Sequence, residues 1–345
     1  MNSYGNKFRI SVFGESHGQM IGVVIDGTPA GIPLSADDFL EDLERRKSGR
    51  KGTTTRYEDD FPEIMSGVSG GHTTGAPICI IFRNSNARSK DYSTFRDVPR
   101  PGHADFAAYK KFHGFNDIKG GGHFSGRLTL TLVAAGVIAK KIISPISIEA
   151  RLTKLGGEPA DWESGVSNVI TGVKGVERLP YNWDRILDRA IMEGDSVGGI
   201  IECCCNNVPV GLGEPFFDSL ESQISHLAFS VPAVRGIEFG DGFAAAAMRG
   251  SEHNDPFIDK EGHTAKNGAG GINGGISNGN PILFRVAIKP TSSIAKPQQT
   301  YNFATDKIAD FSAPGRHDAC IALRCPVILE SVAAIVLANN IYEGV

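Results

Sequence analysis

Two histidines of this chain stand in glycine-flanked turns, a setting suited to proton transfer. Gly14-Glu15-Ser16-His17-Gly18 follows an apolar run, Phe8 to Phe13, that reads as a strand, so Ser16 and His17 fall at a strand end, where reactive side chains collect. Arg100-Pro101-Gly102-His103-Ala104-Asp105 puts a second imidazole on a tight turn whose proline and glycine fix the backbone. Either histidine alone reads more readily as a structural or surface residue. Together they favour catalysis, because an unperturbed imidazole with a pKa of about 6.5 exchanges protons near neutrality.

The cations form three groups: Arg45-Arg46-Lys47 with Arg50 and Lys51, Arg127 just after Gly120-Gly121-Gly122, and Arg316 in Gly315-Arg316-His317-Asp318. The first run also suits the last turn of a helix, which favours cations. As a set, the guanidinium forks match phosphate and carboxylate and point to a multiply anionic ligand. Lys119-Gly120-Gly121-Gly122-His123-Phe124-Ser125-Gly126-Arg127 leads into an apolar helix, where glycines leave backbone N–H groups open to a phosphate. Lys289-Pro290-Thr291-Ser292-Ser293 offers hydroxyls and an ammonium after a strand, a second anion-binding candidate.

Other chemistries lack their residues. The sequence contains no G-x-x-x-x-G-K-[ST] phosphate loop and no H-E-x-x-H zinc pair, and Gly211-Leu212-Gly213 lacks the third glycine of a dinucleotide fingerprint. Its six cysteines, with Cys203-Cys204-Cys205 consecutive, form no C-x-x-C pair and read as reduced, buried small hydrophobes, so no metal is expected. A net charge of −4 creates no global field for nucleic acid or an anionic membrane. The first residues hold no signal-peptide h-region, and the apolar stretches Leu128 to Ile143 and Val332 to Ile341 fall short of a membrane span, which predicts a cytoplasmic protein.

Short apolar runs at Phe8 to Phe13, Gly22 to Ile25, Ile78 to Phe82 and Ile282 to Ile288 predict strands. Helices are expected at Ser35 to Lys47, Phe106 to Phe112, Phe124 to Ile143, Trp183 to Glu193, Leu220 to Leu227 and Pro326 to Ile341. Strands with glycine-rich turns and a few long helices indicate an α+β fold. The polar stretches Lys47 to Tyr57 and Ser251 to Gly268 read as loops that order on ligand binding. The segment from Ile21 to Pro33 is echoed by Val197 to Pro215, and Gly70 to Ile78 by Gly274 to Ile282; a histidine turn and a long apolar helix follow in each half. That order suggests an internal duplication about a pseudo-twofold axis. No linker-like tract separates the halves, so residues 1–345 are expected to form one domain.

In order along the chain, GESHG, the Arg45-Arg46 pair with its basic loop, RPGHAD, KGGG-x-x-S-x-R, GDSVGG, GLGEPFFDSLES, GIEFGDGF, AGGINGGISNG, KPTSSI and GRHD resemble the motifs of chorismate synthases. The resemblance implies a single α+β domain with long central helices sandwiched between antiparallel sheets, assembled as a homotetramer. It also implies a 1,4-anti elimination of phosphate from 5-enolpyruvylshikimate 3-phosphate, with reduced FMN required although no net redox change occurs. By the same resemblance, His17 assists the departing phosphate, His103 protonates reduced flavin near N1, and Asp318 manages the proton at N5, with Ser16 and Ser125 in the hydrogen-bond network. Arg46, Arg100, Arg127 and Arg316 are then the substrate clamp, with either Arg50 or Lys51 in a second cationic position of the basic loop. The implied flavin contacts are His123, Phe124, Ser125, Pro232, Ala233, Gly274, Lys289, Pro290, Thr291, Ser292, Ser293 and Arg316. His123-Phe124 replaces the more usual Arg-Ser, and Ala319 replaces the proline after Arg-His-Asp.

Two rivals remain at this level. A flavin oxidoreductase would use the same pocket for hydride transfer but needs a nicotinamide site, and no dinucleotide fingerprint is present. Some relatives reduce their own flavin with NADPH; the absence of any added reductase segment here predicts a monofunctional enzyme served by a separate flavin reductase. A non-catalytic phospho-ligand binding module would need only the arginines and glycine turns, and leaves His17, His103 and Asp318 without a purpose.

Overall fold

The structure, a computed structural model, describes residues 1–55, 58–85, 94–161, 179–313, 315 and 317–341. The three expected N-terminal strands, with two short ones at the edges that the sequence did not announce, form one antiparallel sheet in the order β1 (Ser3–Tyr4), β2 (Arg9–Gly14), β3 (Met20–Asp26), β7 (Ile78–Arg83), β4 (Glu63–Ile64). Ile21, Val23 and Ile25 of β3 and Ile78, Ile80 and Phe82 of β7 alternate into the core, the period-2 pattern of a strand with one covered face. Beside this sheet stands a short hairpin, β5 (Val68–Ser69) with β6 (His72–Thr73).

A second antiparallel sheet runs β11 (Val234–Phe239), β14 (Ile282–Ile288), β10 (Gly199–Asn206), β8 (Ser147–Leu155), β9 (Glu158–Pro159), with its own hairpin β12 (Ile272–Asn273) and β13 (Ile276–Ser277). In β10, Cys203 and Cys205 face the core and Cys204 faces away, so the cysteine triplet is strand alternation. All six thiols are free. A third ribbon pairs β15 (Gln298–Asn302) with β16 (Lys307–Phe311).

Two helices connect the sheets. Every residue of α3 (Thr129–Ile142) through Ala139, and of α7 (Pro326–Ile341) through Ala338, is buried. A helix apolar on all sides must be covered on all sides. The two pack on each other, α3 also on β3, and α7 on β8 and β10, so one continuous core joins both sheets. Gly136 sets the crossing, because a Cβ there would overlap Ser331 Cβ and lie 2.7 Å from Ser331 Cα. Thr131 and Ser331 donate their hydroxyls to Leu128 and Val327 carbonyls at 2.6 and 2.8 Å, so neither brings an unpaired group inside.

Smaller helices flank this core: α1 (Leu40–Arg46), α2 (Asp105–Lys111), α4 (Tyr181–Met192), α5 (Leu220–Ala228) and α6 (Gly250–His253). Buried Glu330 of α7 ties α1 to α3. It receives Arg45 Nη1 and Nη2 at 2.8 and 2.5 Å, Lys140 Nζ at 2.9 Å and the Ala150 N–H at 3.1 Å. The stretch Ser251 to Gly268, read from the sequence as a loop, is internally braced. It is closed by a Phe257–Thr264 bridge and by Asp255, which accepts the N–H groups of Gly268 and Ala269 at 2.8 Å each.

The helix expected from Phe124 starts later, at Thr129. Gly120, Gly121 and Gly122 take φ values of 60°, 84° and 54°, and Ser125 is extended before a short 3-10 turn over Gly126–Leu128. Three left-handed residues in a row cannot propagate a right-handed helix. No helix among the described residues is long and apolar enough to cross a membrane.

Candidate active site

The left-handed glycine turn is the floor on which both histidines rest. A Cβ on Gly120 would stand 2.5 Å from His17 Cδ2, 2.6 Å from His17 Nε2 and 2.9 Å from Ser16 Oγ. One on Gly121 would lie 3.6 Å from His103 Cε1 and Nε2, and one on Gly122 would overlap the Asp117 carbonyl oxygen. Buried Ser16 fixes the other side of the turn by donating its N–H to the Gly122 carbonyl at 3.1 Å. Strand β2 thus delivers Ser16 and His17 to a backbone that tolerates them only because it carries no side chains.

His103 belongs to a buried polar group of its own. Its Nδ1 lies 2.7 Å from Asp105 Oδ1. Arg100 grips the same carboxylate through Nε and Nη2 at 2.7 and 2.8 Å and donates Nη1 to Ser293 Oγ at 2.9 Å. Burial favours the neutral acid of Asp105, but the hydrogen bonds and charge of Arg100 and His103 outweigh it and hold its pKa far below the usual carboxylate range. Lys289 Nζ donates to the Gly102 carbonyl and to Ser292 Oγ, and Ser292 donates to the same carbonyl at 2.9 Å. The Lys289–Ser293 segment therefore clamps the Arg100–Asp105 turn.

Two cavities meet at this floor, and Arg100, Gly120, Ser125, Pro232 and Thr291 line both. The smaller, about 210 Å³, is ringed by Arg46, Lys47, Arg127 and Arg324 with Asp60 and Asp318. Asp60 accepts Arg46 Nη1 at 3.4 Å and Arg127 Nη1 at 2.9 Å, so one carboxylate is shared by two guanidinium groups. Arg46 also donates to Thr129 Oγ1 at 3.1 Å and to the Gly126 and Arg127 carbonyls at 3.2 Å each. Burial, with Arg324 and Arg127 nearby, pulls the Arg46 pKa down to about 9 against the opposing pull of Asp60 and Asp318. It still carries its charge at neutrality. Positive charge in excess of its counter-ions, in a small buried space, is the electrostatics of a polyanion site. Both long helices begin here: Thr129 opens α3, and Cys325, immediately before α7, is also part of the wall.

The larger cavity, about 780 Å³, has the size of a small-molecule or cofactor site. Its walls are apolar at Ile10, Val12 and Leu132, aromatic at Phe112 and Phe124, and cationic at Lys111 and Lys289. Ala233 lines it with φ of +76°, a left-handed conformation that costs a non-glycine residue about 1–3 kcal/mol and is characteristic of ligand clamps. Thr291 Oγ1 is buried with no hydrogen-bond partner among the described residues. The cavity suits a flat, amphipathic ligand with an anionic end, placed against the contents of the smaller one.

Most of the residues singled out from sequence converge here. His103, His123, Phe124, Ser125, Pro232, Ala233 and the Lys289–Ser293 segment line the larger cavity; Ser16, Arg46, Arg127 and Asp318 line the smaller, with Arg100 between. His123 is held by the Gly14 carbonyl at 3.0 Å and Asn2 Oδ1 at 3.1 Å. Asp318 accepts the Thr54 N–H at 3.0 Å and Arg324 Nη1 at 3.4 Å. His17 and Gly274 are exceptions: His17 lies against Gly120, which lines both cavities, but lines neither itself, and Gly274 sits in the β12–β13 turn and lines neither. Lys51 turns to α4, where Asp184 and Asp188 hold it at 2.6 and 2.8 Å. Neither Lys51 nor Arg50 lines either of these two cavities, and Lys47 and Arg324 stand in the smaller one. Arg316 lies outside the described residues. Sequence reading missed Asp60, Asp105 and Arg324; only Asp105, two residues from His103 in one turn, had a local signal.

A family model described as chorismate synthase matches residues 8–342. The chorismate synthase of Chitinophaga pinensis is 59% identical over 340 residues, covering 98% of this chain and 96% of the relative. Those of Dehalococcoides mccartyi and Korarchaeum cryptofilum are 46% and 45% identical, over 98% and 99% of this chain and 96% and 97% of their own. A crystal structure of a chorismate synthase superposes with a TM-score of 0.74 at 28% identity, over 98% of this chain and 92% of that one.

Proposed function

The chain belongs to the chorismate synthase family, and from that premise we propose that its two adjoining cavities hold the substrate and a reduced flavin, with His17, His103 and Asp318 as the proton-handling groups. The enzyme is a carbon–oxygen lyase that eliminates phosphate from 5-enolpyruvylshikimate 3-phosphate to give chorismate, the last common step of aromatic amino-acid biosynthesis. The observation that carries the residue assignment is the glycine turn shared by the two cavities, with His17 against Gly120 and His103 against Gly121.

The substrate, with one phosphate and two carboxylates, suits the smaller cavity. Arg46, Arg127 and Arg324 surround it, with Arg316 as a further ligand and Arg100 at the boundary. These groups are already fixed by Asp60, Asp318 and backbone carbonyls, so positive charge is in place before charge develops on the departing phosphate. His17 stands behind Gly120 to donate a proton to that phosphate, with Ser16 beside it. Arg50 is the better candidate for the second position of the basic loop, because Lys51 is held by α4.

The larger cavity fits reduced FMN: Phe124 and Phe112 offer aromatic surface, Lys111 and Lys289 meet a phosphate, and the Thr291 hydroxyl lacks a partner. When bound, the flavin supplies electron density to the substrate with no net redox change. His103 would be the proton donor on this side, and Asp318, which lines the smaller cavity, would handle the second proton from there; Ser125 lines both cavities. His123, Pro232, Ala233, Pro290, Ser292 and Ser293 shape the flavin wall.

The family assembly we read here is a homotetramer, supported by exposed Phe216, Phe217 and Phe243 at 85, 93 and 84% exposure. A flavin contact from Gly274 would then cross a subunit boundary. The strands of the repeated segments are neighbours in each sheet, β3 with β7 and β10 with β14, and β7 and β14 each lie at one remove from a sheet edge, while α3 contacts β3 and α7 contacts β8 and β10; these observations support the reading of a duplicated, single-domain sandwich over residues 1–345. A separate cytoplasmic reductase supplying the flavin is the corresponding reading of the cofactor cycle.

The test is anaerobic turnover of 5-enolpyruvylshikimate 3-phosphate with chemically reduced FMN. Flavin-dependent chorismate and phosphate release, unchanged by NADPH, is expected. NADPH-driven turnover by the pure protein without a reductase would overturn the monofunctional reading, and full activity in His17→Ala and His103→Ala the residue assignment.

A further inference from the structure

We propose that Asp105 is a positioning residue for His103: it fixes the imidazole as the Nδ1–H tautomer and so makes Nε2 the only nitrogen that can exchange a proton with the larger cavity. The proposal deepens the role given to His103 above and rests on it.

Two groups crowd the same ring nitrogen. His103 Nδ1 lies 2.7 Å from Asp105 Oδ1 and 3.0 Å from Arg100 Nη2. Only one of these contacts can be a hydrogen bond, since a nitrogen that carries a proton cannot accept one. If Nδ1 were bare, its lone pair would face an ionised carboxylate oxygen at 2.7 Å, two acceptors in repulsive contact. If Nδ1 carries the proton, it donates to Asp105, and Arg100 Nη2 directs its own hydrogen to the same Oδ1 at 2.8 Å. The second arrangement satisfies every group, and the Arg100–His103 approach follows from both donors meeting one oxygen.

The carboxylate cannot yield. It is held by Arg100 Nε at 2.7 Å, Arg100 Nη2, the Arg100 N–H at 3.1 Å and His103, and Arg100 is itself anchored on Ser293 Oγ. Its depressed pKa keeps it an acceptor throughout the range in which an imidazole titrates. The other ring edge, Cε1 and Nε2, faces Gly121, and no described residue hydrogen-bonds Nε2. A proton leaving Nε2 of the imidazolium therefore returns the ring to the neutral Nδ1–H form, with the tautomer unchanged. Asp105 acts on the chemistry through His103, and Arg100 and Ser293 hold Asp105 in place.

The test uses two variants and the protein without flavin. ¹⁵N shifts of the His103 ring at alkaline pH report its tautomer, with Asp105→Asn and Ser293→Ala compared with the parent enzyme. The Nδ1–H form is expected in the parent and in Ser293→Ala. In Asp105→Asn, whose amide can present either end, the ring should become a mixture, and kcat should fall by about 10²-fold or more with the substrate KM unchanged. An Nε2–H parent ring overturns the proposal, as does an Asp105→Asn enzyme with an unaltered tautomer or an unaltered kcat. Full turnover by His103→Ala would instead remove the role of His103, whatever the tautomer.

Discussion

Gly120 touches His17 so closely that no side chain fits between them: a Cβ would stand 2.5 Å from Cδ2 and 2.6 Å from Nε2. Gly120→Ala should therefore push the imidazole from its place. With φ of +60° at this position, the backbone should lose about 1–2 kcal/mol, whereas kcat should fall by about 10²-fold. Melting temperature and anaerobic turnover on one preparation separate the two effects, and an active Gly120→Ala enzyme would show that His17 need not sit there.

Arg127 spreads its fork over Asn84 Oδ1 at 2.6 Å and Asp60 Oδ1 at 2.9 Å. Lysine keeps the charge but cannot make both contacts. Arg127→Lys is expected to raise the substrate KM roughly 10- to 100-fold, the worth of a charge-assisted hydrogen bond, and to leave flavin binding intact. A flavin titration that weakens in parallel would mean that the two cavities are not divided as described.

Glu330 is the buried counter-ion of both Arg45 and Lys140. Glu330→Gln should cost about 1–3 kcal/mol, because two half-buried cations lose one of the two carboxylates they share and keep Asp42. Combining it with Arg45→Met should recover part of that loss. Denaturant unfolding of the four species in a double-mutant cycle measures the coupling, and simple additivity would argue against a linked network.

At the helix crossing, Gly136→Ala should destabilise by about 1–3 kcal/mol through overpacking against Ser331, with kcat per folded molecule unchanged. Chemical denaturation together with active-site titration checks this. Ser331→Gly in the same chain should relieve part of the strain.

Asp105 has a folded pKa below its ordinary value of 3.8, so its contribution to stability is present above that value and lost as the pH falls through the folded pKa. The stability gap between the parent enzyme and Asp105→Asn should accordingly be constant at neutral pH and narrow below about pH 4. Urea unfolding at several acidic pH values measures it. A gap that widens on acidification would mean that the carboxylate is not stabilised by Arg100 and His103.

Local patterns made most of the fold legible. Alternation in β3, β7 and β14 and the long apolar runs of α3 and α7 could be read directly, because burial on one face or on all faces leaves a periodic trace. Strand β8 also alternates, with Ile148, Ala150 and Leu152 turned inward, yet its interleaved charges hid it. The start of α3 was misplaced because the conformation of the glycine turn is fixed by tertiary contacts with Asp117, Ser16 and the histidines. Asp60 and Arg324 were invisible for a similar reason: each acquires its place only when the chain brings α1 and the segments before α3 and α7 together. Glu330 sits in an apolar helix with no neighbour in sequence to explain it, and its partners come from α1, α3 and β8.

The two long helices that begin at the smaller cavity add something that no side chain controls. Each N-terminus carries a partial positive charge of roughly half a unit from aligned peptide dipoles. This charge has no proton to lose and no rotamer to leave by, so it acts alike on the substrate ester and on the inorganic phosphate it becomes. A field that cannot be switched off retains the product, and phosphate departure then competes with bond cleavage for control of turnover. Inorganic phosphate is thus expected to inhibit competitively with substrate, and to go on doing so, more weakly, after any single arginine of the ring is replaced.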